Sequence, residues 1–449
     1  MNFKKRLPAV LVIVFVVVAI IVAVQFKLIG QDPNVPVLGK ETVRFWYTDD
    51  TMTDYLSSAA VAFSEAHDDV RVVPTLVSGT EFLEAINTAS LGEEVPDVYL
   101  ASNDILEKAY LAGLAAEIPE DSICNTENFS QTALDAVTYK NKLIAYPMYY
   151  QTSAFLYNKT YLDAMEDNQV PTTIAAIETY ADEHDAPEGL ESFFTWDVTD
   201  IFYNYFFVGN YLNVGGDPGD DAQNIDIYNL DTIKCLRVYQ ELNQFFSIEA
   251  DEVSYDRVIQ DFMDGKLMFT VATTDVVNTL ETAKAEGRFN YDYGITMLPD
   301  VTDELKVRSM SVTEGVVING YSEHKDAAAE FAAFLVQDSA DTLYARTGKV
   351  SAYLKAPYDY PALAEFAKEY QRSVPIPKMI ETGNLWVQLE IAFIKIWEGT
   401  DANQELKTLS EQIMTQVTGS EYTEEVIEEP VEETQAPDEI IEESVEAQG

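Results

Sequence analysis

KLIAYPMYYQTSAFLYNK, residues Lys142 to Lys159, sets two apolar, strand-like segments on either side of a knot of tyrosines around Pro147 and Gln151. Tyr146, Tyr149 and Tyr150 each join an apolar ring to a hydroxyl that needs a hydrogen-bond partner. Pro147 removes a backbone donor where a chain leaves a sheet. Taken alone, these residues fit two readings: a pair of buried aromatic strands, or one wall of a binding surface.

Upstream, strands and helices alternate. TVRFWY (Thr42 to Tyr47) is a β-branched and aromatic run, followed by a helical pattern with Tyr55, Leu56, Ala59 and Phe63 on one face. Val70 to Val73 is the next strand; Ser78 and Glu81 form a capping box for a helix through Leu91. DVYLA (Asp97 to Ala101) is a third strand, and a helix from about Asp104 to Leu111 stops at Gly113. This spacing predicts a parallel α/β sheet covered on both faces, with ligand beyond the carboxyl ends of its strands, near Thr48 to Thr51 and Ser102 to Asp104.

Downstream, from about Gln151 to Met310, the pattern is less regular and richer in aromatic residues, as in FFTWDVTDIFYNYFFVG from Phe193. GGDPGDD (Gly215 to Asp221) is an acidic glycine-rich loop in which calcium is conceivable, although the spacing is not that of a helix-loop-helix calcium site. LMFTVA (Leu267 to Ala272) and YGITML (Tyr293 to Leu298) bracket a helix as a βαβ unit, and an Ala-rich helix spans Asp326 to Leu335.

The two ends differ from this body. Lys4, Lys5 and Arg6 precede an uncharged apolar run, Leu7 to Val24, which predicts export, with residues 1–30 a signal-anchor retained in the membrane in preference to a cleaved signal peptide. A Pro/Gly linker (31–40) follows. From Glu421 to Gly449 there are twelve acidic residues and no Lys or Arg, which predicts a disordered tail over 420–449. Cys124 and Cys235 fall in a loop and inside a helical pattern, more in keeping with unpaired thiols than with a bridge.

A formal charge of -49 excludes a nucleic-acid partner, because phosphate recognition depends on Lys and Arg. His67, His184 and His324 stand apart, with no metal-ligand spacing. There is no G-x-S-x-G, H-E-x-x-H, P-loop or dinucleotide fingerprint, so no cofactor or metal is expected. Aromatic faces with carboxylate and amide acceptors suit a polyhydroxylated ligand, bound without chemistry. A carboxylate pair of glycosidase type is not eliminated by counting acids.

PDVYLASNDILEKAYLAGLAAEI (Pro96 to Ile118), KLIAYPMYYQTSAFLYNK, ESFFTW (Glu191 to Trp196), FMDGKLMFTV (Phe262 to Val271), YGITMLP (Tyr293 to Pro299) and PIPKMIETGNLWVQLEIAFIKIWEG (Pro375 to Gly399) together resemble the extracellular solute-binding proteins of ABC importers. The chain is most similar to their maltose/maltodextrin-binding type. The resemblance runs from about Thr42 to Gln416. It implies a two-lobed periplasmic-binding-protein-like α/β fold with a hinge and an interlobe ligand cleft. Lobe 1 is then 41–149 plus 312–360 and lobe 2 is 150–311 plus 361–419, with a hinge crossing near Tyr149 to Gln151.

The resemblance also implies ligand contacts. Asp50 and Asp104 fall where first-lobe carboxylates accept sugar hydroxyls, and Gln151 replaces an acidic contact. Glu191, Phe193 and Phe194 match an acid-and-aromatics cluster of the second lobe, and Trp386 matches a stacking Trp. Ala101 and Asp275 stand where that type has tryptophans, and Thr51 and Ile105 where it has basic contacts. Trp46 and Tyr149 are secondary candidates. The implied protein is a monomeric, membrane-tethered extracellular receptor that delivers a carbohydrate to an ABC permease. A polyamine or peptide binder and a surface carbohydrate-active enzyme are the alternatives.

Overall fold

The computed structural model describes residues 40–92 and 94–429. The apolar run Leu7 to Val24 and residues 430–449 of the acidic tail lie outside them. Among the described residues no helix is long and apolar enough to cross a membrane.

The main sheet is built from β1 (Glu41–Tyr47), β2 (Val70–Leu76), β3 (Val98–Ser102), β4 (Tyr146–Asn158), β5 (Ser192–Phe194), β6 (Leu267–Thr273), β7 (Tyr293–Thr296), β8 (Met310–Ile318), β9 (Val350–Ser351) and β10 (Val374–Pro375). Its order is β2-β1-β3-β8-β4-β6-β5, with β7 and β9 also on β4 and β10 on β8. β1 lies parallel to β2 and β3, as the alternation of strands and helices predicts. β8 is antiparallel to both β3 and β4, so the sheet is mixed rather than wholly parallel. The cause is topological: β8 returns from the far half of the chain and inserts between strands that precede it.

β4 organises the molecule. Its first part pairs with β8, from Tyr146 opposite Val316 to Thr152 opposite Ser311. Its second part pairs with β6, from Ser153 opposite Thr273 to Tyr157 opposite Phe269. One strand therefore leaves one half-sheet and enters the other between Thr152 and Ser153. Pro147 pairs with Gly315 beside a register shift, a bulge where a missing ladder donor is tolerated. Two further segments cross at the same level, Ser309 to Ser311 and Ser373 to Pro375, joined by pairing of β8 with β10. Small buried hydroxyls tie the three together: Thr152 Oγ1 lies 3.0 Å from Ser309 Oγ, and Ser373 Oγ donates to Ser311 Oγ at 2.7 Å.

Each half has its own core. In the first, Val43, Phe45 and Tyr47 alternate inward from β1 and meet Phe63 and Phe331. In the second, Phe155, Phe194, Trp196, Tyr239 and Trp397 pack together with helices Leu230–Phe246 and Leu385–Trp397. Burial of each such ring is worth about 1.5–3 kcal/mol. Cys124 lies in the first core and Cys235 in the second; both are free and buried.

Three local expectations resolve differently. Ser78 and Glu81 form no capping box: Glu81 takes a left-handed conformation (φ 53°) without a side-chain cap bond, and helix Phe82–Ser90 begins after it. The carboxylates of Gly215 to Asp221 have protein partners. Asp220 Oδ2 accepts from Lys140 N at 2.6 Å, Asp217 pairs with Arg308 at 3.5 Å, and Asp221 accepts from Gln223 N. Among the described residues no group of acids, His or Cys is arranged to hold a metal ion. The loop instead fastens the halves. Lys378 N donates to Gly219 O at 2.9 Å, and its buried ammonium donates to the carbonyls of Asp135 and Pro218. At Gly219 (φ +65°) an added Cβ would come within 2.7 Å of Pro377 Cα, so the close approach requires glycine. Finally, residues 421–429, composed like the tail, run along the second half. Ile427 packs on its core, Ile427 N donates to Tyr228 OH at 2.9 Å, and Glu429 pairs with Arg237 at 2.8 Å.

Candidate functional site

Beyond the carboxyl ends of β1 and β3, against β4 and β8, a cavity of about 170 Å³ is lined by Thr48, Asp49, Tyr149, Gln151, Glu314 and Lys349. Strand geometry brings three of these groups together, and a turn and a helix end add two more. Tyr149 and Gln151 are two apart on β4 and so share a face. Glu314 on β8 sits opposite Tyr149 on one side and Ser102 on the other. Asp49 caps the turn Asp50–Met52, accepting from Thr51 N at 3.0 Å. Lys349 follows helix Leu343–Thr347, pairs with Asp49 at 3.0 Å and stands 5.7 Å from the centre of the Tyr149 ring.

The electrostatics are uneven. Burial alone would raise the Asp49 carboxyl, but hydrogen bonds from Thr51 and Lys349 and the lysine charge hold it below its ordinary value. Glu314 goes the other way, pushed up to about 8 by burial first and then by the Asp104 and Asp49 carboxylates, with Lys349 opposing. It is therefore protonated at neutral pH. The Tyr149 hydroxyl is raised well above its ordinary range by burial, then by Glu314 and Asp49.

The second half contributes a group around Asp275, which stands at the N-terminus of helix Val276–Ala285, where β6 ends. Asp275 accepts from Thr273 Oγ1. Close by, Tyr203 and Tyr255 stack at 4.7 Å, and Tyr255 OH accepts from Thr273 N. Tyr344 reaches over from the first half to donate to Thr274 O at 3.2 Å, five residues before Lys349.

The sequence-derived candidates divide accordingly. Tyr149 and Gln151 line the cavity. Asp50 and Asp104 are exposed and outside its lining, Asp50 next in sequence to Asp49 and Asp104 an electrostatic neighbour of Glu314. Asp275 borders the second-half group. Trp386, half-buried in the first turn of its helix, meets Tyr205 edge-on at 5.9 Å. Trp46 points to the other face of β1 and packs near Phe82 and Tyr99, away from the cavity. Glu191, Phe193 and Phe194 do not join it either. β5 starts beside Leu267, at the opposite end of β6 from the crossing, roughly 20 Å away at the rise of a strand. Phe194 is core, stacked on Trp196 at 4.6 Å, while Glu191 pairs with Lys266 on a separate hollow of about 310 Å³.

Asp49, Glu314 and Lys349 escape the sequence reading. Asp49 differs from the named Asp50 by one position. Glu314 was legible in principle as a lone acid within an otherwise apolar strand, TEGVVI.

With this geometry in place, the chain can be compared with known proteins. The profile of the bacterial extracellular solute-binding proteins matches residues 49–342, and the chain belongs to that family. It is 22% identical over 384 residues to the maltodextrin-binding protein MdxE of Bacillus subtilis, covering 81% of this chain and 88% of that one. It is 23% identical to a galactooligosaccharide-binding protein of the same organism, covering 83% and 88%. Among solved structures it superposes on an extracellular solute-binding protein of Staphylococcus aureus in complex with maltose, with a TM-score of 0.73, 22% identity, and 84% and 98% of the two chains covered. The fold is thus the two-lobed α/β fold. These relatives are binding proteins rather than enzymes.

Proposed function

We propose that this protein captures an oligosaccharide in the interlobe cleft by closure of the lobes and delivers it to the permease of an ABC importer, tethered outside the cell by its N-terminal segment. The observation that carries this reading is the cavity at the hinge crossing. There Tyr149 and Gln151, on the strand shared by both halves, meet Asp49, Glu314 and Lys349. Such a site offers acceptors and donors for hydroxyls and a ring face, with no nucleophile paired to a base. Lobe 1 comprises 41–149 plus 312–360 and lobe 2 comprises 150–311 plus 361–419, and a ligand held between them favours the closed form. Asp50, Asp104, Asp275 and Trp386 take part from the rims.

The sugar relatives support a saccharide ligand. A thermal-shift screen over maltooligosaccharides, galactooligosaccharides and polyamines tests it. A saccharide at a hundred times its Kd should stabilise the protein by about 2.7 kcal/mol. Stabilisation by spermidine and by no saccharide would reject the reading, and turnover of a bound oligosaccharide would reject a purely binding role.

A further inference from the structure

We propose that the saccharide carries a protonated amino group, seated at Glu314 between Tyr149 and Ser102 with Asp104 beyond. This deepens the capture of an oligosaccharide proposed above and rests on it. The cavity, about 170 Å³, is smaller than the roughly 300–1,000 Å³ of pockets that enclose a whole drug-sized ligand, so it suits one end group of a longer molecule.

The cavity is lined by Asp49 from the turn after β1, Tyr149 from β4, Glu314 from β8 and Lys349, and Asp104 from the turn after β3 is an electrostatic neighbour of Glu314. Three carboxyls therefore meet one ammonium, and that ammonium is taken by Asp49 at 3.0 Å. Among the described residues the Glu314 carboxyl has no hydrogen-bond partner. The Tyr149 hydroxyl has none either, although the residue is only 8% exposed and lines the same space. With Glu314 protonated and Asp49 paired to Lys349, Asp104 is the carboxylate of the three left unpaired, and a charged donor answers both that charge and the unused oxygens of Glu314 and Tyr149. A sugar hydroxyl brings one donor and no charge; an ammonium brings three donors and a charge. Its hydrogen bonds to carboxylate are about twice as strong as neutral ones. The position of Lys349 beside the Tyr149 ring shows that an ammonium is accommodated against that wall. Burial and the neighbouring Asp104 carboxylate push Glu314 up to about 8. An arriving ammonium favours the carboxylate, so binding should release a proton.

The test is calorimetry on the full-length protein at pH 7 with three probes: the disaccharide of glucosamine, its N-acetylated counterpart, and maltose. The expected result is at least tenfold tighter binding of the free amine than of the acetylated form. Proton release should accompany it, read by repeating the titration in buffers of different ionisation heat. Both the preference and the release should vanish in Glu314→Gln. Asp104→Asn, at an exposed position, should cut the preference with no change in melting temperature, which guards against a folding defect in the first variant. Equal or tighter binding of the acetylated form overturns the proposal. Binding of maltose alone overturns the amino group while leaving sugar capture standing. Binding of none of the three overturns the proposal, and if the wider screen also finds no saccharide, the capture reading falls with it.

Discussion

Tyr150 and Tyr370 lie face to face, ring centroids 3.8 Å apart and planes 3° apart, where the chain passes between the lobes. Tyr150 belongs to β4, the first crossing; Tyr370 belongs to helix Ala362–Arg372, which leads into the last. Tyr370 OH lies 2.7 Å from Thr313 Oγ1 on β8, so one ring touches all three crossing segments. The stack fixes their spacing at the place where a hinge must bend without slipping.

Tyr370→Leu should therefore destabilise the protein by about 3 kcal/mol, through lost ring packing and a lost hydrogen bond. Tyr150→Phe should be neutral or mildly stabilising, since the buried Tyr150 hydroxyl has no partner. Urea unfolding of the two variants measures both, and equal losses would contradict the assignment.

Tyr149→Phe separates binding from folding. Its hydroxyl contributes no internal hydrogen bond, so the melting temperature should barely move. Ligand affinity should drop about tenfold, the worth of one well-placed hydrogen bond. A variant that binds as well as the parent would remove Tyr149 from the site.

Glu314 makes stability depend on pH. Its folded value of about 8 lies above the ordinary 4.5, so the native state holds a proton that the unfolded chain has released between those values. Stability from this group thus falls as pH rises from about 4.5 to 8 and is flat above. Glu314→Gln should flatten that decline, gaining on the order of 2–4 kcal/mol relative to wild type between pH 5 and pH 9. Parallel pH profiles for the two proteins would rule out the effect.

Asp275 and Glu191 provide a contrast of position. Asp275→Ala, at the end of β6 near the crossing, should weaken ligand binding several-fold. Glu191→Ala, beside the far end of the same strand, should leave affinity unchanged, because its exposed ion pair with Lys266 lies outside the cavity. Titration with whichever saccharide the screen selects decides it; equal losses in both would place the site differently.

The two thiols should be silent in the native protein. Burial pushes Cys124 and Cys235 up to about 12, so neither forms the reactive thiolate near neutral pH. A thiol reagent should titrate almost nothing until denaturant is added, and then two groups per chain. Rapid labelling without denaturant would contradict their burial.

The sequence reading carried the architecture further than the site. Strands β1, β3 and β6 were legible from runs of β-branched and aromatic residues, and helix Lys325–Val336 from its periodicity. The position of β8 was not, because the two strands it separates, β3 and β4, lie more than a hundred residues upstream and periodicity reports only local order. Gln151 lines the cavity and was legible through its surroundings, whereas the aromatic residues of ESFFTW fill the core at the start of a strand. The acids of GGDPGDD suggested an ion, yet Asp221 is satisfied locally by the amide of Gln223, and Asp220 and Asp217 by the Lys140 amide and Arg308, which only the fold brings near.

Because β8 slots between β3 and β4, the first sheet cannot close until residue 318 has been supplied, after residues 150–311 of the second lobe have emerged. A chain delivered from its N-terminus thus presents the facing edges of β3 and β4 open until β8 arrives. Each lobe therefore waits for a segment that follows part of the other, and neither is complete when its first segment has emerged.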